Sequence, residues 1–168
     1  MDKVESAAGR ILKRFPGLPL SMEVLCAYFD IDLFFADMKS YDAFYMMTHL
    51  GRRLIMVNDS LARARQRFSI AHEVGHAYLG HAPFDLSARG GRPSWQEVEA
   101  NRFAAALLMP PKVIVQMLAP EERTPERISR LCDVSLGAAR IRAKSLGWCE
   151  LVRRAAKKSE PQAARLAG

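Results

Sequence analysis

Apolar residues recur at helical spacing through the first fifteen positions, at Val4, Ala8, Ile11, Leu12 and Phe15, and Pro16-Gly17 ends that stripe. Ser21 offers an N-cap for a second helix running to about Phe29. The period then changes. Ile31 to Phe35, Phe44 to Met47 and Leu54 to Val57 are short runs rich in branched and aromatic residues that read as strands, the last two joined through His49-Leu50-Gly51-Arg52. From Arg63 through Leu79 there is no proline, Ser60 or Asp59 offers an N-cap, and Phe68, Ala71, Val74, Tyr78 and Leu79 restore the helical period. A loop over residues 81–93, marked by Pro83, Gly90, Gly91 and Pro93, leads to a helix from Trp95 to Leu108, opened by Ser94 and stopped by Met109-Pro110-Pro111. Thr124-Pro125-Glu126 starts another helix with a cap and a proline at the first position, where its missing N–H is no loss. Asp133-Val134-Ser135 turns the chain, and Leu136 to Leu146 completes a helix pair. The pattern predicts an α+β chain: a small, mostly antiparallel sheet on the Arg63–Leu79 helix, followed by a mainly helical C-terminal part.

With 168 residues and 49% hydrophobic content, the chain can bury one sizeable core. No apolar run approaches the roughly 20 residues of a membrane span, and the start, with Asp2, Lys3 and Glu5, does not read as a signal peptide. Cys26, Cys132 and Cys149 are odd in number and scattered, with no C-x-x-C pair, as expected of thiols in a reducing, cytoplasmic setting.

The candidate chemistry lies at His72-Glu73-Val74-Gly75-His76. On a helix, histidines four residues apart project from one face toward one ion. Imidazole nitrogens bind Zn²⁺ at about 2.0 to 2.1 Å, and a catalytic zinc keeps three protein ligands with a fourth position open. Glu73 lies roughly 100° around the helix from His72. That offset keeps its carboxylate out of the ligand set but near enough to move a proton, the role the H-E-x-x-H pattern assigns it. Burying two imidazoles and a carboxylate within two turns is costly unless something pairs them. Gly75 reads as a point of close helix packing.

The third ligand sorts the peptidase classes. The metzincin spacing fails, because Leu79 and Ala82 stand where it needs glycine and histidine; Gly80 and His81 are each one place out of register. His81 is therefore a poor ligand candidate, although it could line the site. On the next helix Glu97 is the better candidate, with Asn101 one turn on able to hold the outer nitrogen of a ligating histidine. Two alternatives stand: Ser94-Trp95-Gln96-Glu97 also fits a capping box that would turn the glutamate back onto the helix start, and Glu99 takes over if the helix is rotated. Two imidazoles and a carboxylate suit Zn²⁺, but Mn²⁺, Fe²⁺ or Co²⁺ could occupy the same ligands. Tyr41, Tyr45, Tyr78 and His81 are unranked candidates for steadying an oxyanion.

Two blocks, Arg67-Phe68-Ser69-Ile70-Ala71-His72-Glu73-Val74-Gly75-His76 and Glu97-Val98-Glu99-Ala100-Asn101-Arg102-Phe103-Ala104-Ala105-Ala106-Leu107-Leu108-Met109-Pro110, resemble the ImmA/IrrE metallopeptidases nearly residue for residue. A weaker likeness extends over roughly residues 8 to 149. The resemblance implies zinc on His72, His76 and Glu97, Glu73 as the catalytic acid/base, and a gluzincin-like minimal fold. It further implies a cytoplasmic bacterial or phage-borne protein that cleaves a helix-turn-helix transcriptional repressor. On this reading residues 1–120 form the zincin-like core, 121–152 a helix-turn-helix-like segment packed on it, and 153–168 a basic tail. The length leaves no room for an added sensor domain, so what triggers activity is not legible.

A formal charge of +7 attracts nucleic acid and acidic protein surfaces alike. The helix pair bears Arg140, Arg142 and Lys144 and could lie on DNA as a helix-turn-helix. Gly137, Ala138, Ala139 and Ile141 offer few side chains able to read base edges, so nonspecific phosphate contact is the most this segment promises. The rival to the enzyme is thus a DNA-associated or toxin-antitoxin regulatory protein whose metal is structural or absent. Oligomeric state is not legible.

Overall fold

The computed structural model describes residues 3–81 and 94–152; the loop predicted over 81–93 lies, but for His81, outside the described residues, as does the basic tail over 153–168. The chain forms two compact units, Met1–Leu108 and Met109–Gly168.

The first unit is built on four helices and a sheet. Helix α1 (Lys3–Leu12) buries Val4, Ala7, Ala8 and Ile11, the i, i+3, i+4, i+7 stripe of an amphipathic helix. Helix α2 (Met22–Tyr28) starts at Ser21, whose Oγ accepts the Val24 N–H at 3.2 Å. Strands β1 (Ile31–Ala36), β2 (Ala43–Met47) and β3 (Arg53–Asn58) form one sheet in the order β1-β3-β2. The α+β class is as the periodicity predicts. The expected mostly antiparallel sheet is instead mixed, since β3 pairs parallel with β1 and antiparallel with β2. The physical reason is burial: β3 carries Ile55 and Val57, both fully buried, and takes the two-sided central place. One face, with Ile31, Ile55, Val57 and Tyr45, points into the core.

Helix α3 (Arg63–Leu79) and helix α4 (Trp95–Leu108) have the bounds the sequence predicts. The predicted cap of α3 at Ser60 or Asp59 is not used. Ala62 is the N-cap and gives no side-chain bond. Ser60 is committed elsewhere, because Asn58 Oδ1 accepts both its N–H at 3.0 Å and its Oγ–H at 2.7 Å. Asn58 Nδ2 also donates to the Tyr41 carbonyl at 3.3 Å, so this buried amide ties the approach to β2 to the turn entering α3.

Helices α3 and α4 approach closely at Gly75. A Cβ there would meet Phe103 Cδ1 at 3.0 Å and the Ala100 Cα at 3.4 Å. Gly75→Ala gains about 1 kcal/mol in helix propensity but overpacks a full core at about 1 to 3 kcal/mol. The expected outcome is a net loss of up to about 2 kcal/mol and a lower melting temperature, checked by thermal denaturation. A more stable Gly75→Ala protein would contradict this packing.

In the second unit, Pro110-Pro111 ends α4 as expected, but Pro111 also opens an unpredicted short helix α5 (Pro111–Met117), followed by a 3₁₀ turn over Pro120–Glu122. Helix α6 (Pro125–Cys132) begins at Thr124, whose Oγ1 accepts the Arg127 N–H. Asp133 takes a left-handed conformation, and Ser135 caps helix α7 (Leu136–Ser145). The predicted helix pair and its turn are present. Among the described residues no helix is long and apolar enough to cross a membrane. Cys26 and Cys132 are buried and Cys149 half-buried, all as free thiols, and burial pushes the Cys26 thiol up to about 12.

Candidate metal centre

Residues from α3 and α4 meet in the first unit. His72 and His76 stand one turn apart on α3 with their Nε2 atoms 3.0 Å from each other. Glu97, in the first turn of α4, places Oε2 3.2 Å from His72 Nε2 and Oε1 3.3 Å from His76 Nε2. Both earlier alternatives for this glutamate resolve at once: Ser94 Oγ does accept the Glu97 N–H at 3.4 Å, as a cap, while the carboxylate itself faces the histidines. Half of the capping box therefore forms, and it anchors the start of the helix that carries the acid.

Asn101, one turn after Glu97, brings Oδ1 to 3.1 Å from His72 Nδ1. An amide oxygen only accepts, so the proton of the His72 ring sits on Nδ1 and Nε2 keeps its lone pair. His81 brings its Nδ1 to 3.1 Å from His76 Nδ1, and its own Nε2 lies 3.3 Å from Glu99 Oε2. Glu99 thus faces His81 and not the two Nε2 atoms. The phase of α4 is the one that selects Glu97.

Burial lowers the pKa of His72. It lowers that of His76 to about 4, with the adjacent His72 adding to the effect. Burial thus favours the uncharged form of both rings, the form in which an imidazole nitrogen can bind a metal. The donor set fits a divalent ion: His72, His76 and Glu97 each offer one ligand atom, all within 4.8 Å of one another. Ligands about 2.0 to 2.1 Å from a tetrahedral zinc stand roughly 3.3 Å apart, close to the spacings here.

Glu73 points to another neighbour. Its Oε2 accepts the main-chain N–H of Tyr45 at 2.8 Å. The bonds from Thr48 N–H to the Arg52 carbonyl and from Asn58 N–H to the Asp42 carbonyl place the even-numbered residues of β2 in the bonded pairs with β3. The Tyr45 N–H therefore projects from the outer edge of the sheet, where Glu73 takes it. Burial pushes the Glu73 carboxyl up to about 7; the Tyr45 N–H acts the other way, and the charge of Glu97 adds to the rise.

The aromatic candidates for an oxyanion partner separate. The Tyr45 ring is buried in the core, and Tyr78 stacks on Phe103 and meets Phe29 edge-on, with ring centroids 5.6 and 5.5 Å away. His81 lies on the Nδ1 side of His76, away from the Nε2 cluster. Tyr41 packs edge-on against Phe44 before β2.

The sequence profile of the IrrE N-terminal-like domain matches residues 26–144. The chain belongs to this family. Relatives include the radiation response metalloproteases IrrE of Deinococcus radiodurans, 34% identical over 118 residues, and of Deinococcus deserti, 33% identical over 118 residues. Each match takes in 65% of this chain, but only 35% and 41% of those proteins. An uncharacterized immunity region protein 2 of Bacillus phage phi105 is 32% identical over 95 residues, 49% of this chain and 60% of that one. Among solved structures, a Mycobacterium tuberculosis transcriptional regulator shares the fold with a TM-score of 0.60 at 18% identity, covering 83% of this chain and 45% of its own. The chain spans less than half the length of the two Deinococcus relatives it matches.

Proposed function

We propose that this chain is a zinc-dependent endopeptidase that cleaves a helix-turn-helix transcriptional repressor or an antitoxin-like partner and so relieves repression. The observation that carries the reading is the convergence of His72, His76 and Glu97 at 3.0 to 3.3 Å, with Glu73 held beside them on the Tyr45 N–H. A zinc ion held there would supply Lewis-acid polarisation of the peptide carbonyl and would lower the pKa of water toward neutrality.

The remaining work falls to the chain. His72, His76 and Glu97 would hold the ion, and Asn101 fixes the ring of His72 through Nδ1. Glu73 takes the proton of the attacking water and delivers it to the leaving amine. The bond from the Tyr45 amide holds that carboxylate on the strand side of α3, so one oxygen is anchored and the other stays available for proton transfer. The names of the relatives, radiation response metalloprotease and immunity region protein, support a regulatory substrate.

The rival, a DNA-associated module, weakens on one observation. Of the three basic residues on α7, Arg142 is buried and its Nε donates to the Met109 carbonyl at 3.3 Å, which withdraws it from any phosphate. The test of the proposal is incubation of the zinc-loaded chain with purified helix-turn-helix repressors, beginning with any encoded beside this chain. Discrete cleavage that a chelator abolishes is expected, and an intact repressor under saturating zinc would sink the assignment of this substrate.

A further inference from the structure

Behind one of the three proposed ligands, His76, a line of polar side chains runs away from the centre through His81 to Glu99. His81 is almost fully buried, with its side chain 4% exposed, yet sequence spacing leaves it out of the ligand set. The end of α3 explains its position. Gly80 adopts the left-handed region (φ 73°), closes the helix with its N–H on the His76 carbonyl, and lets the chain reverse so that the His81 N–H also reaches that carbonyl at 3.0 Å. The reversal sets the His81 ring against the His76 ring, Nδ1 to Nδ1, with Trp95 edge-on beyond it at 5.4 Å.

The proton positions follow from what each atom can do. If His76 presents its Nε2 lone pair to a metal, its proton is on Nδ1 and must be donated to His81 Nδ1. That nitrogen then accepts, so the His81 proton is on Nε2, and it points to Glu99 Oε2, which can only accept. All donors run in one direction. Reversing any one of them leaves two lone pairs or two protons facing each other.

We propose that His81 and Glu99 are positioning residues that lock His76 in the ring orientation and tautomer needed for metal binding. This role rests on the metal site proposed above. It mirrors on His76 what Asn101 does on His72, but through two residues, and an imidazole that leans on a carboxylate through a relay is a better electron donor to its ion.

The test is zinc affinity, measured by competition with a chromogenic chelator on the full chain, for the native protein, His81→Phe, His81→Asn, Glu99→Gln and the His81→Phe/Glu99→Gln double variant. Circular dichroism and melting of each metal-free protein report the fold separately. His81→Phe should bind zinc about 10 to 100-fold more weakly, and His81→Asn should recover part of that loss, because its amide oxygen can accept the His76 proton. Glu99→Gln should lose less. The double variant should be no worse than His81→Phe, since Glu99 acts through His81. Unchanged affinity in a folded His81→Phe protein, or additive losses in the double variant, would overturn the proposal. If His81→Phe does not fold, Glu99→Gln decides: several-fold weaker zinc binding supports the relay, and native affinity refutes it. A native chain that takes up no zinc would instead remove the metal reading, and this inference with it.

Discussion

Glu73→Gln is expected to abolish cleavage and keep its zinc. Glu73 lies outside the His72, His76 and Glu97 cluster, so the substitution removes no ligand atom. Glutamine can still accept the Tyr45 N–H through its amide oxygen, so the side chain keeps its anchor on β2. It loses only the ability to take up and return a proton. A positioned general acid/base is worth about 10² to 10⁴ in rate, and kcat/KM for repressor cleavage should fall by that factor while metal analysis of the same samples shows no change. Native cleavage by Glu73→Gln would end the enzymatic reading. Loss of zinc along with activity would move Glu73 into the ligand set.

Glu97→Gln should fail one step earlier, at metal binding. Its carboxylate is the only acidic group of the described cluster and reaches both Nε2 atoms, although the side chain is 45% exposed. Replacing it with an uncharged amide leaves two imidazoles, and zinc affinity should fall by more than the roughly 10 to 100-fold expected for a group behind a ligand. Glu99→Gln should lose far less, because Glu99 reaches the centre only through His81. The two variants share helix, charge change and chemistry, so chelator competition compares positions alone. A larger loss in Glu99→Gln would mean that α4 is rotated from the phase described.

The site was legible where local period and side-chain chemistry agree. His72, His76 and Glu97 come together as the spacing predicts, and α3 and α4 run between the residues that the apolar stripe and its stop signals indicate. The amide of Asn101 on His72 also follows from its place one turn after Glu97. What escaped depends on contacts remote in sequence or on the main chain. Strand order depends on which strand is most buried and on pairing between segments remote in sequence, so a parallel pairing between β1 and β3 cannot be read from two short runs. The Tyr45 N–H carries no residue signature, because any residue at that place in β2 would present the same amide to Glu73. His81 is one place out of ligand register, and that displacement puts it behind His76; Gly80 before it was the available signal for a chain reversal. Arg142 looks like a surface cation in sequence and is buried in the structure, because its partner is the carbonyl of Met109, thirty-three residues earlier.

The most direct test of the central claim is X-ray absorption at the zinc edge of the purified chain, together with metal stoichiometry. One zinc per chain is predicted, with nitrogen and oxygen neighbours at about 2.0 to 2.1 Å and the outer-ring scattering of two imidazoles. A substoichiometric metal, or sulfur neighbours at about 2.3 Å supplied by the free cysteines, would contradict the account.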